Sequence, residues 1–578
     1  MTNAHIEETT SGGPKIANTV SMLTEQTDQA WQGWLSRFTF GLTPAGLTGT
    51  YVSWLMQLAL CPGRMAELAA FAWIHAGDEV NPRSSARDSR FTSPLWRQWP
   101  WCQYVRGFRL AEAFWDRATL GVPGLSPAHE HGVNFAAHQI LNAFSPANFL
   151  STNPEIQAAA QRTGGRSLIE GAIHAFEDWR LRLTGRRPEG MEAFLPGKAV
   201  AVTPGKVVFR NDLMELIQYA PTTTSVVRTP VLILPAWIMK YYILDLSPEN
   251  SLVRWLVGQG HAVFMVSWKN PTGEDRNKGM DDYVREGALA ALDAVSAIVP
   301  DTKIDLAGYC LGGTLAMIFA AWLAERGDER LNSLSLFAAQ GDFAEAGEMM
   351  VFITDSEVAY LKNMMRGPGY LDTRQMAGAF QMLRSSDSIW SHMVHDYWQG
   401  ERSRMFDLLA WNADATRMPY RMHSEYLQRL FLDNEFADGH FTVFGTTVAP
   451  ENITVPVFAV GTESDHVAPW RSVYKIHLMT SGDVTFVLTN GGHNAGIVSE
   501  PGHPARCYRI KNHVQGTPFL SPERWREQAR LEDGSWWLAW RAWLISHDLG
   551  EPVAAPTALG NSRFPPREDA PGLYVHQK

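Results

Sequence analysis

Cysteine is scarce in this chain: its 578 residues include only four, and no two of them form a C-x-x-C pair. Disulfide scaffolds and structural zinc sites are built from clustered cysteines, so the sequence argues against both. A reducing compartment, the cytoplasm, is therefore the predicted location, and no metal site is expected. The four cysteines lie far apart, at Cys61, Cys102, Cys310 and Cys507.

Long apolar runs are also missing. None reaches the roughly 18 to 20 residues that a membrane span needs, so no transmembrane segment is predicted. The polar N-terminus lacks a basic-then-apolar signal pattern. The net charge of −10 comes without a basic stripe, which argues against nucleic acid as a partner. Tryptophan is abundant instead, and its 22 residues predict large apolar surfaces, either buried or facing an apolar partner.

Three regions differ in composition and periodicity. Residues 1–20 are polar and predict a disordered leader, whereas 21–190 have helical spacing with almost no β-branched runs. A polar, Pro/Gly-rich stretch at 184–190 marks the predicted boundary of this helical N-terminal domain. From 191 to 578, strand and helix patterns alternate, which predicts an α/β catalytic domain around a mostly parallel, doubly wound sheet.

Individual elements of this domain follow from local patterns. Pro204-Gly205 predicts a hairpin between strands at 200–202 and 206–209, and Ser247 predicts the start of a helix. Between about 340 and 440 the alternation fails, which predicts a lid inserted over the active site. Tryptophans at 536, 540 and 543 share one face of a C-terminal helix and predict core packing. Further strands are expected at 213–218, 230–234, 261–266, 304–307, 455–460 and 484–488.

The strand at 304–307 leads into a G-x-C-x-G box, in which Gly308 and Gly312 flank Cys310. A strand, a sharp glycine-flanked turn and a helix together predict the nucleophile elbow of an α/β-hydrolase fold, with cysteine in the usual place of serine. A helix N-terminus favours the thiolate and can bind an oxyanion. Taken alone, the box is equally compatible with a buried cysteine in an ordinary turn.

A cysteine nucleophile needs a base, and the base needs a carboxylate to orient it. In α/β-hydrolases the acid and then the histidine follow the nucleophile in sequence, each just past a strand. Asp465 and His493 satisfy this order and context, and we predict that they act with Cys310. Glu463 is a rival acid and His466 a rival base, although His466 is better placed to contact substrate.

Two backbone N–H groups should bind the oxyanion. One is expected from Leu311, the residue after the nucleophile. The other should come from the loop after the strand that ends at Leu234, through Ala236, Trp237 or Ile238, a choice that the sequence leaves open; Trp237 is the candidate we name. Farther along, the guanidinium of Arg506 follows the histidine loop and is a candidate contact for a substrate phosphate.

Beyond these residues the chain resembles the polyhydroxyalkanoate synthase family, most closely its class I members. The resemblance rests on the elbow Gly-Tyr-Cys-Leu-Gly-Gly-Thr and on stretches at 148–155, 240–246, 266–271, 411–416, 465–470 and 570–575. It implies a catalytic triad at Cys310, Asp465 and His493. It also implies a short-chain (R)-3-hydroxyacyl-CoA as substrate, no separate cofactor, a homodimer, and association with the growing polyester and its granule. Many relatives have a cysteine before the 240–246 stretch, whereas Trp237 stands in that loop here.

The implied reaction forms an acyl-cysteine, releases CoA, and passes the acyl group to the 3-hydroxyl of the growing chain. Either His493 or Asp465 could activate that hydroxyl, and the sequence does not separate them. Two other interpretations share the fold. A cysteine-dependent thioesterase would give free hydroxy acid, and a non-catalytic granule-associated homologue would give no turnover. The stretches outside the triad argue against the first interpretation, and the complete triad argues against the second.

Overall fold

A ten-stranded sheet forms the centre of the computed structural model, which describes residues 44–75, 88–184, 188–373 and 389–578. The predicted leader at 1–20 and residues 185–187 of the predicted boundary lie outside the described residues. The ten strands, in chain order, are β1 (Gly205–Arg210), β2 (Met214–Tyr219), β3 (Val231–Leu234), β4 (Val263–Trp268), β5 (Ile304–Tyr309), β6 (Leu331–Phe337), β7 (Val457–Thr462), β8 (Val484–Thr489), β9 (Cys507–His513) and β10 (Arg530–Asp533).

Across the sheet the strands run in the order β1-β2-β4-β3-β5-β6-β7-β8-β9-β10. The six central strands pair in parallel, and across the sheet they are β4, β3, β5, β6, β7 and β8. An antiparallel pair extends the sheet at each edge. Strands β3, β4, β5, β7 and β8 are buried along their whole length, as expected for parallel strands that helices cover on both faces. The predicted mostly parallel α/β-hydrolase sheet is thereby confirmed.

Helices pack on both sides of this sheet and over its carboxyl edge. Among the described residues from 191 onward, the α-helices are Leu252–Gly258, Met280–Asp282, Ala290–Ile298, Leu311–Glu325, Asp355–Arg366, Asp407–Asn412, Tyr420–Glu425, Trp470–Tyr474, Ile476–Met479, Pro522–Gln528 and Trp536–Ser546. The segments Tyr283–Leu289, Met393–Trp398 and Tyr426–Leu432 are π-helical. The segment between β6 and β7 contains the region that we expected to form a lid.

The N-terminal region is helical and has a small apolar cluster of its own around Trp54, Leu68 and Val133. Its last helix lies against the π-helical segment Met393–Trp398, where Asp178 accepts a hydrogen bond from the Tyr397 hydroxyl at 2.9 Å. No helix in the described ranges has the length and apolar character to cross a bilayer. The described part of this region contains the α-helices Pro44–Ala59, Pro62–His75, Trp101–Thr119, Pro127–Ala143, Pro154–Arg162 and Arg166–Thr184.

Two local predictions are wrong and one is confirmed. The first hairpin is formed by β1 and β2, so its turn is at 211–213 rather than at Pro204-Gly205. The helix predicted from Ser247 begins at Leu252, because the hydroxyl of Ser251 caps it by accepting from the Arg254 N–H. The face of the C-terminal helix that carries Trp536 and Trp540 is buried in the core, as predicted.

Candidate active site

Cys310 lies at the carboxyl end of β5, immediately before the helix Leu311–Glu325. Its backbone has φ +53° and ψ −127°, a conformation that a residue with a side chain rarely adopts. The N–H of Cys310 donates to the Phe337 carbonyl at 2.9 Å, which ties the turn to the neighbouring strand β6. The turn therefore holds the thiol at the top of the sheet in a strained but well-supported position.

The glycines of the elbow are required by close approach of the backbone. A Cβ atom on Gly312 would lie 2.1 Å from the Leu234 carbonyl oxygen, and one on Gly308 would lie 2.4 Å from the Cα of Gly313. Carbon atoms normally stay more than 3 Å from such neighbours. The spacing of the motif thus lets the helix begin directly against β3 and β5, which carries its N-terminus to the thiol.

Asp465 and His493 meet at this end of the sheet. Asp465 follows β7 and His493 follows β8, and Asp465 Oδ2 lies 2.8 Å from His493 Nδ1. The Asp465 carboxylate also accepts from the N–H groups of Val467 and Ala468, each at 2.8 Å, and from the Thr462 hydroxyl at 2.9 Å. Four donors fix this carboxylate, so it can orient the imidazole ring rigidly.

The electrostatics link all three side chains. Burial disfavours the charged form of His493, but the Asp465 carboxylate and the Cys310 sulfur, both in hydrogen-bond contact with the ring, outweigh burial and raise the pKa of His493 well above 6.5. Burial would raise the pKa of Asp465, yet the imidazolium of His493 and the two backbone N–H groups bring it below 3.8. Since Nδ1 contacts Asp465, Nε2 is the nitrogen that faces the thiol. The geometry thus suits transfer of the thiol proton to His493.

The two rivals occupy other positions. Glu463 is exposed and accepts a hydrogen bond from Arg526 at 2.9 Å, whereas the carboxylate in contact with His493 is that of Asp465. His466 is half-buried beside Asp465, and its carbonyl lies near Gly347 at the start of a short 3₁₀ segment of the insertion. Its role as a substrate contact remains a prediction.

Arg506 supports the loop that carries His493. Its Nη2 donates to the carbonyl oxygens of Ala495 at 2.6 Å and Val498 at 3.3 Å. Partial burial lowers the pKa of this guanidinium. These hydrogen bonds indicate that Arg506 stabilises the loop that carries His493. A phosphate contact from Arg506, as expected from the sequence, would have to use the remaining N–H groups and stays a prediction.

Sequence reasoning missed other supports of this loop. Trp536 and Trp537 donate their indole N–H groups to the carbonyls of Gly496 and Ile497, both at 3.0 Å. Tyr309 donates its hydroxyl to the Asn494 side chain at 2.6 Å, and its ring lies 5.7 Å from that of His493. The tryptophan spacing of the C-terminal helix was visible in the sequence, but it indicated only that the helix is buried.

A small cavity opens onto the thiol. Its volume is about 30 Å³. The lining residues Met349, Tyr426 and Phe431 come from the helical part of the segment between β6 and β7. The other residues that line it are Ile238, Cys310, Leu311, Thr314, Ala338, Gln340, Val467 and Ala468.

The loop at 236–238 reaches this cavity through Ile238. Trp237 is buried behind the cavity wall, with its ring 5.6 Å from that of Tyr283 and 6.2 Å from that of Tyr426. The carbonyl of Trp237 accepts from the Thr416 hydroxyl at 3.0 Å. Leu311 lines the cavity directly beside the thiol. The structure thus brings Leu311 and Ile238 to the cavity and leaves the Trp237 side chain behind it.

Comparison with known proteins identifies the family. Residues 87–256 match the family model described as "Poly-beta-hydroxybutyrate polymerase (PhaC) N-terminus", residues 23–64 match "Poly-beta-hydroxybutyrate polymerase N terminal", and residues 229–500 match "alpha/beta hydrolase fold". A poly(3-hydroxyalkanoate) polymerase of Methylorubrum extorquens is 39% identical over 85% of this chain and 81% of its own length. The polymerase subunit PhaC of Cupriavidus necator is 36% identical over 89% of this chain and 87% of its own.

Among solved structures, a monoacylglycerol lipase of Paleococcus ferrophilus is similar over 58% of this chain and 99% of its own. Its identity is 14% and its TM-score 0.33, so this likeness carries no argument about function. The extent and identity of the polymerase matches decide the classification. This chain belongs to the poly(3-hydroxyalkanoate) polymerase family, whose members are enzymes of the transferase class.

Proposed function

We propose that this enzyme polymerises (R)-3-hydroxyacyl-CoA thioesters into polyhydroxyalkanoate, with release of CoA, through an acyl-cysteine at Cys310. The observation that carries the proposal is the contact of a cysteine at a nucleophile elbow with a His493–Asp465 pair. Because one thioester is exchanged for another, charging the enzyme changes the free energy little. Neither step requires a metal or a separate cofactor.

In the charging step, His493 Nε2 takes the proton of the Cys310 thiol, and the thiolate attacks the acyl carbonyl. The carbon–sulfur bond to CoA then breaks, and the departing CoA thiolate takes the proton back from His493. The raised pKa of His493 favours its protonated form while the cysteine is a thiolate. The products are free CoA and an acyl group in thioester linkage to Cys310.

In the transfer step, the 3-hydroxyl of a bound unit or of the growing chain attacks the acyl-cysteine. We assign the base of this step to His493 rather than Asp465. Both oxygens of the Asp465 carboxylate already accept hydrogen bonds, and its pKa lies below 3.8, so it is a weak base without a free position. The hydroxyl proton passes to His493 and then to the Cys310 sulfur as the ester forms.

For the oxyanion we assign the N–H groups of Leu311 and Ile238. In a trans peptide the carbonyl and the amide hydrogen point in opposite directions. The Trp237 carbonyl points to Thr416, so the Ile238 N–H of the same peptide unit points the other way. Since Ile238 and Leu311 both line the cavity beside the thiol, this direction supports Ile238 over Trp237 as the second donor.

Exclusion of water is needed because water would hydrolyse the acyl-cysteine. The cavity at the thiol is small, about 30 Å³, and Met349, Tyr426 and Phe431 of the inserted segment line it. We therefore infer that substrate enters when the segments that carry Met349 and Tyr426 move away from Cys310, and that they cover the acyl-enzyme afterwards. This role fits the lid expected from the sequence.

The proposal includes a homodimer at the surface of polyester granules in the cytoplasm. The helix Arg166–Thr184 exposes apolar side chains on one face: Ile169, Ile173 and Phe176 are 66%, 52% and 61% exposed. Such a face suits contact with an apolar polyester. Ile173→Glu should reduce binding to polyester particles while sedimentation still gives a dimer. Unchanged particle binding, or loss of the dimer instead, would contradict this assignment.

The direct test is to incubate the purified enzyme with (R)-3-hydroxybutyryl-CoA and to follow released CoA and insoluble polyester together. We expect one hydroxybutyryl unit in the polyester for each CoA released. The Cys310→Ala variant should give neither product. CoA release with only soluble hydroxy acid would favour a thioesterase. The absence of turnover in the wild-type enzyme would favour a non-catalytic granule protein. Cys507→Ala is the matched control, since Cys507 lies in β9, outside the cavity that the Cys310 thiol faces.

A further inference from the structure

Four of the sequence stretches that resemble the family lie far from the triad in sequence, and the chemistry above does not account for them. These are 240–246, 266–271, 411–416 and 570–575. In the fold they meet at one place, behind the loop 236–238. We call residues 570–577 the C-terminal strap, and this segment contacts both Lys240 and Asn270.

The strap is held by two buried charged side chains. Glu215, which is fully buried on β2, accepts from the N–H groups of Leu573 and Tyr574 at 3.0 Å each. Lys240, 3% exposed, donates from Nζ to the carbonyls of Gln577 at 2.6 Å and Tyr574 at 3.4 Å. Charged groups are buried only where such partners compensate the lost hydration, so these contacts fix the strap firmly. Lys240 stands two residues after Ile238.

The strap also reaches the inserted segment. The side-chain oxygen of Gln577 accepts from the Asn270 N–H at 2.9 Å, and the side-chain oxygen of Asn270 accepts from the Arg417 N–H at 2.9 Å. Trp411, earlier in the same segment, donates its indole N–H to the Lys240 carbonyl at 2.8 Å. The strap therefore contacts Lys240, which lies two residues past the loop. Through Asn270 it also reaches the inserted segment, at Arg417.

Thr416 completes the path to the reacting atoms. Its hydroxyl donates to the Trp237 carbonyl at 3.0 Å, and its N–H lies 3.4 Å from the Ile238 carbonyl. The side chain is 1% exposed, so water cannot replace its hydroxyl. The hydroxyl bond fixes the plane of the Trp237–Ile238 peptide, and with it the direction of the Ile238 N–H. A donor aimed away from the oxyanion loses most of its effect on catalysis.

We propose that Thr416 is a positioning residue that aims the Ile238 N–H at the oxyanion, and that the strap, through Lys240 and Asn270, holds Thr416 and the loop in register. The inference rests on the proposed function only for the identity of the substrate. A thioesterase would use the same oxyanion hole, so CoA release tests the positioning role even where no polyester forms.

The test compares Thr416→Val, which removes the hydroxyl but keeps the side-chain shape, with Thr416→Ser, which keeps the hydroxyl. Removal of a complete oxyanion donor lowers kcat about 10²- to 10³-fold, so a donor that is merely misaimed should lower it about 10- to 100-fold. We expect that loss of kcat for CoA release in Thr416→Val, KM within about twofold, and recovery of most of kcat in Thr416→Ser. Alkylation of Cys310 by iodoacetamide should stay at the wild-type rate, because the triad is untouched.

Thr480→Val is the matched control: Thr480 is buried and its hydroxyl donates to the Ile476 carbonyl, within its own turn, and we expect wild-type kcat. Lys240→Met tests the strap and should lower kcat about 3- to 30-fold. Combined with Thr416→Val, the loss should be smaller than the product of the two, because both act on one peptide.

An unchanged kcat in Thr416→Val would overturn the proposal. So would a parallel loss of alkylation rate, or a loss that Thr416→Ser does not recover, since either would mark a general packing defect. If Thr416→Val does not fold, Lys240→Met decides on the same readouts. The proposed function fails separately, through CoA release without polyester in the wild-type enzyme.

Discussion

Replacement of Asp465 by asparagine changes one atom, and the structure predicts how the new amide will orient. Asp465 Oδ1 accepts from two backbone N–H groups, Val467 and Ala468, whereas Oδ2 faces Thr462 and His493. An NH₂ group cannot replace Oδ1, because it would face two donors. The asparagine oxygen will therefore take the Oδ1 position, and its NH₂ will donate to His493 Nδ1.

That orientation gives His493 the wrong tautomer. With Nδ1 accepting, the ring proton lies on Nε2, the nitrogen that should take the thiol proton from Cys310. The loss of the adjacent negative charge also lowers the pKa of His493, which Asp465 helps to raise. The same exchange in serine proteases lowers kcat about 10⁴-fold. A thiol loses its proton more easily than a hydroxyl, so we expect about a 10³-fold loss of kcat, or ~4 kcal/mol of barrier.

The assay is CoA release from (R)-3-hydroxybutyryl-CoA between pH 6 and 9. In Asp465→Asn, hydroxide replaces the imidazole as base, so the residual rate should increase about tenfold per pH unit. Glu463→Gln is the matched control, since this exposed carboxylate is paired with Arg526, and its kcat should stay within about twofold. A kcat within threefold of wild type in Asp465→Asn, or a large loss in Glu463→Gln, would refute the assignment of the acid.

Three further predictions concern the elbow, the core and the acyl pocket. Gly312→Ala places a Cβ 2.1 Å from the Leu234 oxygen and should lower the free energy of unfolding, measured in urea, by about 3 kcal/mol. In the control Gly258→Ala, the new Cβ meets no atom within 4 Å, so the free energy of unfolding should stay unchanged or increase slightly. Burial raises the pKa of Asp305 from 3.8 to about 7, so the folded state holds a proton that the unfolded chain has lost. Wild-type stability should then fall, relative to Asp305→Asn, by on the order of 1 kcal/mol per unit as pH rises from about 4 to 7, in urea titrations at each pH. Trp237→Ala should deepen the pocket behind the cavity wall and raise activity on 3-hydroxyhexanoyl-CoA relative to 3-hydroxybutyryl-CoA about tenfold; an unchanged ratio would remove Trp237 from chain-length selection.

Sequence patterns were most informative where backbone chemistry leaves few choices. The glycines around Cys310 indicated a turn that no larger residue could form, and the buried runs that became β3, β7 and β8 indicated parallel strands. Asp465 and His493 could be proposed because each follows such a strand. Parallel strands place their carboxyl ends at one edge of a sheet, so order along the chain became proximity in space.

Other features depend on contacts that no local pattern encodes. Pro204-Gly205 has the residues of a hairpin turn, yet β1 pairs with β2, the next strand along the chain. The polar strands β9 and β10, at one side of the sheet, contain no apolar run from which a strand could be predicted. Arg506 could be noticed only as a charge, and its bonds to the loop carbonyls became evident from the fold. The bond from Thr416 to Trp237 joins residues 179 positions apart.

We infer that an acyl group is held on Cys310 and is transferred to a hydroxyl rather than to water. Rapid mixing of enzyme with (R)-3-hydroxybutyryl-CoA, an acid quench and intact-mass spectrometry with peptide mapping measure this directly. We predict added mass in whole 3-hydroxybutyryl units, located on Cys310, and a growing number of units per enzyme with time. An unmodified Cys310 during turnover, or a single unit that never lengthens while free hydroxy acid accumulates, would contradict the account.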